Sequence, residues 1–130
     1  MVGSNLDYAN LEEANLADAE LRGARMEGVR LRRANLQRAD LGSDLTSGRR
    51  VYLAAADLTG ADLRGANLRG VNLSGGGRIG SATLRNARLE GTRLQGAVLS
   101  GVALDGATAD ASTEWPAGFD PAAAGVMMVP

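Results

Sequence analysis

A large aliphatic residue recurs every five positions along almost the whole chain, and that period limits what the chain can fold into. Leu6, Leu11, Leu16, Leu21, Met26, Leu31, Leu36 and Leu41 form a first run. A slip of two residues precedes Leu53, Leu58, Leu63, Leu68 and Leu73, and a slip of one precedes Ile79, Leu84, Leu89, Leu94, Leu99 and Leu104. Two positions before nearly every member stands a small residue, such as Ala9, Ala14, Ala61 or Ala87, and Gly77 before Ile79. A helix repeats its faces at about 3.6 residues and a strand at about 2, so neither accounts for this spacing. The chain is a tandem repeat.

On an extended segment two residues two apart point to one side, so the small residue and its leucine share an interior. The next small residue follows three later, and the chain must turn to bring it inward again. Four such segments, each turned by about a right angle, close a coil, and coils stack at about the inter-strand distance of 4.8 Å. One large and one small residue per segment fill so narrow an interior. Residues twenty apart then become neighbours on the outer wall, which sets Glu12 beside Arg32, Glu13 beside Arg33 and Asp18 beside Arg38.

The units Ala9-Asn10-Leu11, Ala14-Asn15-Leu16, Ala34-Asn35-Leu36, Ala39-Asp40-Leu41, Ala56-Asp57-Leu58, Ala61-Asp62-Leu63 and Ala66-Asn67-Leu68 resemble the pentapeptide repeat family. That resemblance implies an all-β fold, a right-handed quadrilateral parallel β-helix, here of about five coils. Residues 1–109 are expected to form it, with an insertion near 42–50 and a one-residue slip near 74–77. Residues 110–130 are expected to be a C-terminal cap, with Trp115 and Phe119 covering the last coil. In the later units the Asn/Asp position drifts to Arg78, Thr83, Arg88, Arg93, Val98 and Ala103, which faces outward and leaves the interior alone.

Several function classes lack their residues. With no Cys and no His, thiolate and imidazole chemistry is absent, and no cofactor or metal is expected. No apolar stretch is long enough for a membrane, and no basic apolar leader precedes the repeat, so a cytoplasmic protein is expected. Gly75, Gly77 and Gly80 spell G-x-G-x-x-G, but the repeat resumes directly instead of opening a helix. Asn72-Leu73-Ser74 is a formal glycosylation sequon without meaning in a cytosolic chain.

Glu20, Asp40 and, allowing for the two-residue slip, Asp62 are expected to stack on one face as an acidic ladder. Their spacing of about 5 Å resembles the carboxyl pair of a retaining glycosidase. Short corners cannot wall a cleft around them, however, and a solvated ladder is the expected reading. Arg30, Arg32 and Arg33, with Arg49 and Arg50 of the insertion, are expected to form a protein-contact patch. Stacked carboxylates and the lack of outward aromatics argue against direct nucleic-acid binding.

The expected function is a non-catalytic interaction or scaffold module with an unidentified protein partner. The apolar Val126, Met127, Met128 and Val129, or a coil end, offer a route to a homodimer. The family resemblance supplies an alternative, a DNA mimic that binds gyrase and protects it from quinolones. A mimic needs a dense acidic surface, whereas this chain has 15 acidic residues against 14 basic ones.

Overall fold

The computed structural model describes residues 2–43, 48, 50–76 and 78–130. The central residue of each segment pairs in parallel with the one a coil later, and the pairs line up in four columns. The first face carries Asn5, Arg25, Tyr52, Asn72 and Val98, and the second Asn10, Arg30, Asp57, Thr83 and Ala103. The third carries Asn15, Asn35, Asp62, Arg88 and Thr108, and the fourth Glu20, Asp40, Asn67, Arg93 and Glu114. Two short strands lengthen the third column: β1 (Thr108–Ala109) pairs in parallel with β2 (Met127–Met128). The result is a four-sided parallel β-helix.

The interior is the leucine stack foreseen from the period. Leu21, Met26, Leu31, Leu36, Leu41, Leu53, Leu58, Leu63, Leu68, Leu73, Leu84 and Leu89 are fully buried, with alanine or valine between them. Leu6, Leu11 and Leu16 of the first coil are only partly buried. Burying one leucine is worth roughly 1.5–3 kcal/mol, so the stack supplies the main favourable term.

Each uninterrupted corner is one β-turn, closed by the amide of the small residue donating to the preceding leucine carbonyl, as Ala9 does to Leu6 at 3.1 Å. Its second central residue has positive φ, for example Glu13 at 59° and Gly96 at 71°, as a type II turn requires. The motif's Asn/Asp has a local job here. Its side-chain oxygen accepts from the amide two residues on, Asn5 from Asp7 at 3.1 Å and Asn10 from Glu12 at 3.2 Å. Asp40, Asp57, Asp62 and Asn67 repeat this bond. It is an Asx turn, which fixes the chain direction into the corner.

The two slips are longer than they look. Asn5 pairs with Arg25, twenty on, but Arg25 pairs with Tyr52, twenty-seven on, so seven residues are inserted (27 − 20). At the second slip the turn bond normally spanning three residues runs from the Ala82 amide to the Leu73 carbonyl, spanning nine, so six are inserted (9 − 3). A period of five hides one full unit in each case. Ile79, expected in the core column, therefore belongs to the insertion: it is 42% exposed and its amide bonds to the Gly76 carbonyl. A Cβ on Gly75 would run into the backbone of Ile79 and Gly80, which explains the glycine there. Gly77 lies outside the described residues.

The tail continues the wall. Glu114 pairs with Arg93, so Trp115 follows at the position the leucines occupy. Trp115 and Phe119 pack partly buried against the core with ring centroids 5.1 Å apart and planes at 26°. Thr113 enters a small-residue position, where its hydroxyl donates to the Leu89 carbonyl at 2.8 Å. Val126 is buried, while Met127 and Met128 are exposed.

Candidate functional site

Outward charges meet their neighbours one coil away. Arg33 reaches Glu13 at 2.7 Å, Arg38 reaches Asp18 at 2.7 Å and Arg85 lies 3.2 Å from Asp105. The Arg38 guanidinium holds the Asp18 carboxyl below the ordinary carboxylate range. At Asp62 burial pushes the pKa up, but the hydrogen bonds and charge of Arg64 prevail and the net direction is down. These pairs are open to water, so each is worth little on its own.

The described members of the expected arginine patch are not all brought together. Arg30 lies 3.5 Å from Glu12, Arg32 lies 3.7 Å from Glu12 and 3.9 Å from Asp57, and Arg33 is held by Glu13. Arg50 follows the seven-residue insertion and sits at the corner between the fourth and first faces, not near the second. Arg49, with Asp44, Leu45, Thr46 and Ser47, lies outside the described residues. The stacked carboxylates cancel the patch and the coil geometry divides it.

The acidic ladder is also different from the expectation. Glu20 and Asp40 are rung neighbours on the fourth face, but the next rung is Asn67; Asp62 stacks on Asn35, one face away. The cause is the hidden unit of five, which shifts every later residue by one face. Asp40 is further occupied by structure: it accepts from the Gly42 amide and the Asn67 amide group, both at 3.0 Å, and lies 3.3 Å from Arg22. Glu20 and Asp40 remain one rung apart, but Asp40 is committed to these structural contacts and the next rung carries the Asn67 amide instead of a third carboxylate.

The same corner holds the feature that counting in fives conceals. Arg22, Arg69 and Gln95 occupy one corner column, and Arg50 emerges from the insertion beside them. With Asp40, Asn67 and Ser43 they line an open recess of about 730 Å³. Its floor is braced internally. The Ser43 hydroxyl donates to the Gly70 carbonyl at 2.9 Å and accepts from the Val51 amide at 3.1 Å, closing the base of the insertion. A Cβ on Gly42 would press on the Asn67 side-chain nitrogen, 2.6 Å away, and disturb its bond to Asp40. Arg69 donates from Nε to Gln95 at 3.2 Å, and Arg22 faces Asp40 through its own Nε. Spacings of 47 and 26 residues, each a multiple of twenty plus the insertions, would have found the column once the hidden units were counted.

Among the described residues no group of His, Cys, Asp or Glu is placed to hold a metal ion, and no helix is long and apolar enough to cross a membrane. A smaller hollow of about 300 Å³ lies between Leu99 and the Pro116–Phe119 turn.

The pentapeptide repeats family model matches in eight copies over residues 4–46, 49–76 and 80–109. The chain belongs to this family, and its fold is the right-handed quadrilateral β-helix. It is similar to alr5209, a pentapeptide repeat protein from Nostoc PCC 7120, at 27% identity and a TM-score of 0.57, over 96% of this chain and 84% of that one. A trypsin-treated variant of QnrB1, a plasmid-mediated fluoroquinolone resistance protein, shares the fold at 23% identity and a TM-score of 0.55, over 96% of this chain and 65% of that one. No curated protein matches.

Proposed function

We propose that the chain is a non-catalytic protein-interaction module of the cytoplasm that recognises its partner at the recessed corner. The observation behind this reading is a concentration of cations: Arg22, Arg50 and Arg69 converge on one recess whose described lining holds a single carboxylate, Asp40, with Glu114 3.9 Å from Arg69 beside it. Residues 110–130 act as a cap in this reading, since Trp115 and Phe119 cover leucines of the last coil. The experiment compares wild type with Arg22→Gln plus Arg69→Gln as immobilised bait. A protein retained by wild type and lost by the variant supports the reading; a bait that retains nothing overturns it.

The second reading, gyrase mimicry, draws on the fold shared with QnrB1. A mimic would present unopposed acids, yet Glu12, Glu13, Asp18 and Asp105 are each met by arginine. A titration of the protein into gyrase supercoiling, with and without a fluoroquinolone, is expected to show no effect. Protection at low micromolar concentration would reverse the order of the two readings.

A further inference from the structure

We propose that the recess at the corner between the fourth and first faces binds an acidic peptide segment, with Arg22 and Arg69 contacting its carboxylates. This rests on the interaction-module reading and gives the partner a chemistry. Among the described residues the lining is positive by two, three arginines less Asp40, and Glu114 lies 3.9 Å from Arg69 beside it. Its acceptors are already spent. Asp40 takes the Gly42 amide, Asn67 and Arg22; the Asn67 oxygen takes the Arg69 amide at 3.1 Å, and the Gln95 oxygen takes Arg69 Nε. What the recess offers a ligand is therefore donors, and the ligand must bring acceptors.

Arg22 faces Asp40 and Arg69 donates to Gln95 through Nε, the inner nitrogen, while one terminal nitrogen of Arg69 lies 3.9 Å from Glu114, beyond hydrogen-bond reach; the assignment gives the terminal nitrogens, which grip a carboxylate in a fork, to the ligand. Two coils separate them, about 10 Å along the axis at the usual rise per rung. Acidic residues two apart on an extended peptide lie on one side about 7 Å apart, within the span that two arginine side chains cover. A recess of about 730 Å³ is far larger than one small anion needs. One feature favours peptide over nucleic acid: among the described residues no aromatic side chain lines the recess for base stacking.

The probe is a fluorescein-labelled peptide of alternating glutamate and glycine, read by anisotropy against the full chain at low salt. Its binding is expected to weaken about tenfold or more in Arg22→Gln plus Arg69→Gln. It is expected to change less than about twofold in Arg33→Gln plus Arg38→Gln, which removes the same charge at other corners. Equal loss in both double variants would reduce the effect to net charge and overturn the assignment. So would equal binding of a glutamine–glycine peptide, tighter binding of a single-stranded oligonucleotide of the same charge, or no binding by wild type. Should the first double variant fail to fold, Arg50→Gln alone is expected to weaken binding about threefold, and no change there would also overturn it. Recess-dependent retention of a protein without affinity for the acidic peptide would remove this assignment and leave the module reading standing. Peptide binding with no protein retained would do the reverse.

Discussion

In the first coils the corners at Tyr8, Glu13, Asp18 and Arg38 put an ordinary residue at positive φ, and each follows an Asn at the outward position three residues earlier. In the last coils the corresponding corners are Gly91, Gly96, Gly101 and Gly106, and the outward positions are Arg88, Arg93, Val98 and Ala103. The two ends of the rod reach the same turn by different means. An Asx hydrogen bond holds the chain into the corner and carries a side chain through an unfavourable φ; where that bond is missing, glycine removes the penalty. Gly23 and Gly28 follow Glu20 and Arg25, and so obey the rule within the first run. Three corners depart from it. Arg33 follows Arg30 and is held by Glu13, Asn86 follows Thr83 and is itself a residue type that tolerates positive φ, and Ala55 follows Tyr52 with no side-chain bond of its own available.

Truncating the interior is the largest test, because it asks whether the two halves share one core. Leu36→Ala and Leu89→Ala are each expected to cost about 3 kcal/mol in urea unfolding. A much smaller loss for Leu89 would mean that the glycine-cornered half is loosely packed. Next comes Gly96→Ala. Its Cβ would meet the Gly70 backbone only at ordinary contact distances of 3.7 and 3.8 Å, so the expected loss of about 1–2 kcal/mol measures backbone strain alone. A neutral result would show that glycine is not needed where the Asx bond is absent. Asn10→Ala should cost about 1 kcal/mol by deleting the bond to the Glu12 amide, whereas Arg93→Ala at the same motif position should be nearly silent. Ala55→Gly has the opposite sign: relief of positive φ should stabilise the protein by about 0.5–1 kcal/mol, and a loss would break the rule at its clearest exception.

Acid gives the smallest effect and divides the rod in a different way. Asp18, Asp62, Asp105 and Asp110 have folded pKa values below their ordinary one. Each releases its proton more readily folded than unfolded, so its contribution is complete above the ordinary carboxylate range and fades as pH falls through the lowered folded value. Stability is expected to be flat near neutrality and to decline below about pH 4. The Arg38→Gln variant should lose part of that decline, because the cation that lowers the Asp18 pKa is gone.

How much was legible in the sequence follows from what a period can carry. The leucine stack, the outward Asn/Asp and the Glu13–Arg33 and Asp18–Arg38 pairs all follow from spacing within an unbroken run, and the structure places them as expected. Spacing across an interruption did not transfer. Counting in fives cannot distinguish an insertion of two from one of seven, so it places Asp62 one face away from its column and Ile79 inside the core. The recess went unseen for the same reason, since Arg22 and Arg69 are neighbours only when the full insertion is counted. At Tyr8, Glu13, Asp18 and Arg38 the side chain at positive φ is written in the sequence as an Asn three residues earlier, whereas Arg33, Ala55 and Asn86 carry no such sign.

Both insertions leave the helix at a corner and return to it at the same level of the stack, as the unbroken columns on either side demand. The wall is therefore a lattice with coils for rows and faces for columns, and extra chain enters only at its vertical edges. An outward substitution rewrites one cell and leaves the mesh unstretched. Such a surface can exchange its whole charge pattern, cell by cell, while the register that gives each cell its address stays locked inside.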